Sequence, residues 1–109
     1  MTTTQRLYLR DSQLRSFRAE VVEVDPAGRI ALDATAFYPT GGGQPHDTGR
    51  ISWGTEEAEV TDVTGRGPLV WHTIADGDPL PEVGTGVECE IDWQRRHRLM
   101  RTHTALHIL

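Results

Sequence analysis

His103 and His107, four residues apart, are the side chains of this 109-residue sequence best placed to do chemistry. On a helix, residues with that spacing stand one above the other on a single face. Two imidazoles so arranged reach one zinc ion at about 2.0 to 2.1 Å. The spacing alone is also common among ordinary surface histidines. Position 104 is Thr rather than Glu, which removes the HExxH metalloprotease pattern. A catalytic zinc takes about three protein ligands plus water. His97 lies six residues before His103 and faces another side of the same helix, and Cys89 has no His four residues after it.

A second feature is Gly41-Gly42-Gly43-Gln44-Pro45, preceded by Phe37-Tyr38-Pro39. Three glycines remove side chains, so the backbone can approach another backbone or a ligand closely. Gln44 brings a donor and an acceptor to that surface, and Pro45 holds Gln44 in an extended conformation. The GxxxxGK[ST] phosphate loop is absent. Composition alone also fits a flexible turn, but flanking prolines and aromatics favour a constrained segment.

A third feature is the arginine row Arg95, Arg96, Arg98 and Arg101. From Asp92 to Leu109 the chain carries four arginines against one aspartate, net +3, which leaves −8 for the remainder of a chain of net charge −5. These cations fall in the first half of a helix, where the macrodipole disfavours them. Phosphate contact explains the placement; a solvated face paired with acids of the barrel is the other reading.

These residues hang on two kinds of element. From Leu7 to Ile91 the sequence reads as short strands separated by turn residues. Arg18–Val24 and Arg29–Asp33 flank Asp25-Pro26-Ala27-Gly28 as a hairpin, and Thr48–Trp53 pairs with Ala58–Val63 around Gly54. Leu69–Ile74 and Val87–Ile91 are further strands, with the Pro-, Gly- and acid-rich stretch Asp76–Gly86 a surface loop. Six or seven strands in this length predict a small closed barrel over residues 1–91. At Asp92, a candidate N-cap, the pattern changes: Trp93–Leu109 lacks Gly and Pro, and Met100, His103, Leu106 and His107 follow helical spacing. The sequence stops inside that helix on Ile108-Leu109, which predicts a longer natural protein. Trp53, Trp71 and Trp93 read as core or junction residues, and His46 and His72 as structural.

Composition bounds the remaining possibilities. No stretch approaches the roughly 20 apolar residues of a membrane helix, and no secretory signal opens the chain, so the cytoplasm is the expected location. A single cysteine makes neither an internal disulfide nor a CxxC metal site. The acidic balance argues against bulk nonspecific nucleic-acid binding but allows a local basic patch.

TAFYPTGGGQPHDTG (Thr35 to Gly49), followed by IDWQRRHRLMRTHTALHIL (Ile91 to Leu109), closely resembles the free-standing alanyl-tRNA editing proteins and the equivalent region of alanyl-tRNA synthetase. LYLRDSQLRSFRAEVVEV (Leu7 to Val24) fits as well. The resemblance implies a mainly β fold: a barrel like domain two of the translational elongation factors, then the first helix of an α/β editing domain. It implies that His103 and His107 bind zinc, with a later CxxxH outside this chain supplying the other ligands. Gly41, Gly42, Gly43 and Gln44 would lie against the editing domain near the site. The implied activity is zinc-dependent hydrolysis of serine, or glycine, from alanine tRNA in trans, with Arg95, Arg96, Arg98 and Arg101 on tRNA phosphates. Met1 lies a few residues before the first strand, which favours the free-standing form over the synthetase. The alternative is a non-catalytic barrel module that binds tRNA or a partner protein. Zinc would either supply hydroxide or orient the ester, and the sequence shows no obvious general base.

Overall fold

The computed structural model describes residues 3–9, 14–39 and 47–95. Six strands close into an antiparallel barrel: β2 (Ser16–Asp25), β3 (Arg29–Leu32), β5 (Gly49–Trp53), β6 (Glu56–Arg66), β7 (Leu69–Ile74) and β8 (Gly86–Ile91). Around the barrel the order is β2-β3-β7-β6-β5-β8, with β8 returning to β2. Two short strands, β1 (Gln5–Arg6) and β4 (Ala34–Thr35), pair in parallel beside it.

Alternation builds the core. In β8, Val87, Cys89 and Ile91 point inward while Gly86, Glu88 and Glu90 face water; in β7, Val70, His72 and Ile74 are the inward set. Fully buried Ile30, Leu32, Ile51 and Phe37 each contribute roughly 1.5 to 3 kcal/mol by leaving water. The long strands β2 and β6 each serve two neighbours. Ser16 to Glu20 pairs with β8, and Val21 to Asp25 pairs with β3, with the register shifting between Val21 and Glu23. β6 likewise changes from β5 to β7 across a shift between Val60 and Asp62. Such bulges bend a strand and let a short sheet close.

The predicted hairpins are present with the predicted turns. Gly28 and Gly54 sit at φ of 94° and 55°, the left-handed region that a side chain disfavours. The acidic stretch after β7 contains no strand until Gly86. Three expectations change. β1 and β4, two residues each, carry no periodic signal to read. β6 runs on through Thr64 and Gly65 to Arg66, because Gly65 and Arg66 pair with Val70 and Leu69. Trp71 is not core: it shares the outward face of β7 with Leu69 and Thr73 and is half-buried beneath Arg29, 5.9 Å from its ring. Trp53 is partly buried against the core, and Trp93 stands at the junction between barrel and helix.

The N-terminal residues are stitched to the barrel through a buried hydroxyl. Thr4 Oγ1 donates to the Leu32 carbonyl at 2.7 Å and accepts the Val70 N–H at 3.0 Å, tying together β3 and β7. Among the described residues, no helix is long and apolar enough to cross a membrane.

Candidate functional site

The segment that ends in the glycine triplet leaves the barrel through a chain of buried hydrogen bonds. His72 Nδ1 lies 3.2 Å from the Ile30 carbonyl, which only accepts, so Nδ1 carries the proton. Nε2 then accepts from the Thr35 hydroxyl at 2.8 Å, and Thr35 Oγ1 accepts the Phe37 N–H at 3.1 Å. Burial lowers the His72 pKa to about 4, partly opposed by the bond to Ile30. His72 is therefore a structural residue holding the departing strand, as its sequence context suggested.

That burial predicts a pH dependence. The unfolded imidazole takes up a proton below its ordinary 6.5, whereas the folded one does so only below about 4. Between these values the unfolded state binds more protons, so stability falls as pH falls, by up to about 3 kcal/mol from this group. Urea unfolding of wild type and His72→Gln across pH 4 to 7 checks it. The variant's curve should be flatter, and parallel curves would rule the mechanism out.

Phe37 plugs this end of the core. Its ring is buried edge-on to Phe17 and to His72, each at 5.5 Å. Beyond it the chain is clamped. Asp47 N–H donates to the Tyr38 carbonyl at 2.9 Å, and Tyr38 N–H donates to Asp47 Oδ2 at 2.8 Å. The outgoing and returning ends of the segment are thus joined at two points, and the Tyr38 ring rests 4.5 Å from that of Tyr8. Asp47→Ala should cost about 1 to 3 kcal/mol by leaving a partly buried N–H unmatched, while Asp47→Asn keeps an acceptor and most of the stability. Amide exchange at Tyr38 reads this directly. Unchanged protection in Asp47→Ala would remove the clamp from the account.

The return end also meets the helix. The Asp92 N–H donates to the Thr48 carbonyl at 2.8 Å, one residue past the clamp. Asp92 Oδ1 accepts the Arg95 N–H at 3.1 Å, the N-cap geometry expected of it, and the chain is helical at residues 93–95. An open groove of about 600 Å³ lies at this junction, lined by Thr48, Gly49, Ile91, Asp92, Trp93 and Gln94 among others. A larger groove of about 810 Å³ runs along the barrel wall, but it presents Glu56, Glu57, Glu88 and Glu90 against Arg18 and Arg50. That balance does not suit a phosphate backbone.

His103, His107, Gly41, Gly42, Gly43, Gln44, Arg96, Arg98 and Arg101 lie outside the described residues, as do His46 and His97. Of the predicted site residues, Arg95 is described: it is half-buried in the first helical turn. Among the described residues, no group of three or more His, Cys, Asp and Glu side chains is arranged to hold a metal. Cys89 is buried, and burial pushes its thiol far up, with the Asp33 carboxylate adding to the shift. Neither Cys89 nor His72 is available as a ligand.

Sequence reading passed over the structural half of the glycine motif. Thr35 holds His72, Phe37 closes the core and Asp47 clamps the ends. A Cβ at Gly49 would stand 2.1 Å from the Glu90 carbonyl oxygen and 2.7 Å from the Phe37 ring. The signal in the sequence is an apolar Phe37 and a lone Gly49 at the two ends of the motif.

Comparison with known proteins fits this arrangement. A family profile described as tRNA synthetases class II (A) matches residues 5–95. The chain belongs to the family of alanyl-tRNA synthetases and alanyl-tRNA editing proteins. Within this family it is 45% identical over 107 residues to the alanyl-tRNA editing protein AlaX-M of Pyrococcus horikoshii, covering 97% of the chain and 47% of that protein. It is 46% identical to the alanine–tRNA ligases of Pyrobaculum neutrophilum and Methanopyrus kandleri, covering 97% of the chain and 12% of each ligase. The chain therefore spans about half of the editing protein and about an eighth of the ligases.

Proposed function

We propose that this chain forms the barrel and first helix of a zinc-dependent hydrolase that removes serine or glycine from mischarged alanine tRNA, acting in trans. The hydrogen bond from Asp92 N–H to the Thr48 carbonyl carries the reading. It joins the return end of the glycine motif, at Thr48, to the start of the helix, at residues 93–95, on one rim of the barrel. A catalytic constellation on elements so joined keeps its geometry better than one on independent loops.

Family membership supplies the substrate class. A synthetase pocket that accepts alanine rejects poorly an amino acid that is slightly smaller or adds one hydroxyl, so a second hydrolytic site is useful. The donor set from this chain is His103 and His107, whose imidazoles suit zinc, with further ligands expected from a CxxxH beyond Leu109. Zinc at such a site lowers the pKa of bound water to about 7 or orients the ester. The chain's own residues do the rest. Arg95, Arg96, Arg98 and Arg101 hold acceptor-stem phosphates, and Gly41 to Gln44 present bare backbone and one amide toward the reacting end. The cytoplasm, where translation occurs, is the proposed location.

A deacylation assay on alanine tRNA charged with serine or glycine tests this. The chain as given should be inactive, and a protein continuing past Leu109 through the CxxxH should hydrolyse at least one of the two esters. If the longer protein binds tRNA and leaves both esters intact, the non-catalytic binding-module reading replaces this one.

A further inference from the structure

We propose that Arg15 is a phosphate-binding residue of the tRNA interface, held by Trp93 as a preset fork beside the helix start. The proposal rests on the tRNA reading above and adds a residue eighty positions from the arginine row. Arg15 directly precedes β2, and its carbonyl accepts the Ile91 N–H at 2.8 Å, so its backbone is fixed to the last residue of β8. Its side chain is exposed, with the guanidinium carbon 4.7 Å from the centroid of the Trp93 ring.

Three other arginines of the barrel wall are differently engaged. Arg18 faces Glu88, Arg29 faces Asp25 and Arg50 faces Glu57. Among the described residues, Arg15 has no carboxylate partner, although the chain is acidic. Asp92, one residue before Trp93, already gives Oδ1 to the Arg95 N–H. A guanidinium set over an indole face still has N–H donors at its edges for a ligand. This arrangement leaves a cation with restricted freedom and an open hydrogen-bonding edge, which suits bidentate capture of a phosphate. Its contacts with Ile91 and Trp93 place it on the rim that carries the helix start.

Binding of uncharged alanine tRNA to the intact protein, measured from 50 to 200 mM salt, tests the assignment without requiring catalysis. Arg15→Ala should weaken binding about tenfold and reduce the log–log salt slope by about 0.7 to 0.9, the signature of one lost phosphate contact. Arg15→Lys should restore the slope but only part of the affinity, because an ammonium lacks the planar fork. Thermal unfolding of both variants should match wild type. An unchanged slope in Arg15→Ala, with or without a loss of affinity, overturns the proposal and leaves Arg15 a packing partner of Trp93. Wild-type protein that does not bind tRNA overturns both this assignment and the functional reading.

Discussion

His103→Ala in the intact protein should remove zinc and reduce deacylation of mischarged alanine tRNA by more than about 100-fold, beyond what loss of an outer-shell partner typically costs. The expectation follows from coordination number. With the CxxxH expected beyond Leu109, one imidazole fewer leaves a site that water must complete. The same reasoning separates the short chain from the long one. Two imidazoles alone bind zinc weakly, so metal analysis of these 109 residues should find little, whereas the longer protein should carry about one zinc per chain. The barrel should melt at an unchanged temperature in His103→Ala, because the strand pairs that close it lie between Ser16 and Ile91. Stoichiometric zinc on the short chain would mean that another ligand completes the site. Normal deacylation by a zinc-free His103→Ala protein would discard the metal mechanism.

Gly49→Ala should be the most damaging single-methyl change in the barrel. The added carbon meets a backbone carbonyl at 2.1 Å, and backbone cannot rotate aside as a side chain can. β5 and β8 must spread where Gly49 pairs with Ile91, or Phe37 must leave the core. Overpacking of this kind costs about 3 kcal/mol, the upper part of the usual range, and lowers the melting temperature by about 15 °C in a domain of this size. Gly86→Ala supplies the control. Gly86 opens β8, the strand that pairs with β5, but an added Cβ there meets nothing within 4 Å and its φ is ordinary. Its melting temperature should stay within about 2 °C of wild type, since removing a glycine without strain stabilises slightly if at all. If Gly49→Ala melts with the control, the close packing of Phe37, Gly49 and Glu90 is not as described.

The barrel was legible where the sequence alternates. Val87, Cys89 and Ile91 inward, with Glu88 and Glu90 outward, is a pattern that only a half-buried strand satisfies. The turns at Gly28 and Gly54 announced themselves by composition. Pairing order was less accessible, because β8 meets both β2 and β5, and nothing local in Gly86–Ile91 names either neighbour. The short strands β1 and β4 are held by Thr4 and Gln5 bonding to distant carbonyls, which no window of a few residues contains. At the candidate site, chemistry-bearing side chains stood out through type and spacing. Their supports did not: Thr35, Asp47 and His72 act through partners up to 42 positions away. Arg15 was invisible for the same reason, since its significance arises from lying on a tryptophan 78 residues later.

Closure of the barrel joins Ser16 to Glu90 and Phe17 to Cys89. During synthesis, these contacts can form only after almost the whole barrel sequence has left the ribosome. At about 5 to 20 residues per second, the open sheet waits several seconds with β2 lacking one neighbour. The helix residues follow Ile91 directly, so they emerge just as the ring becomes able to shut. The bond from Asp92 to Thr48 then acts as a timing mark: the first helical residues, 93–95, are tied to the barrel in the same interval in which it first becomes complete.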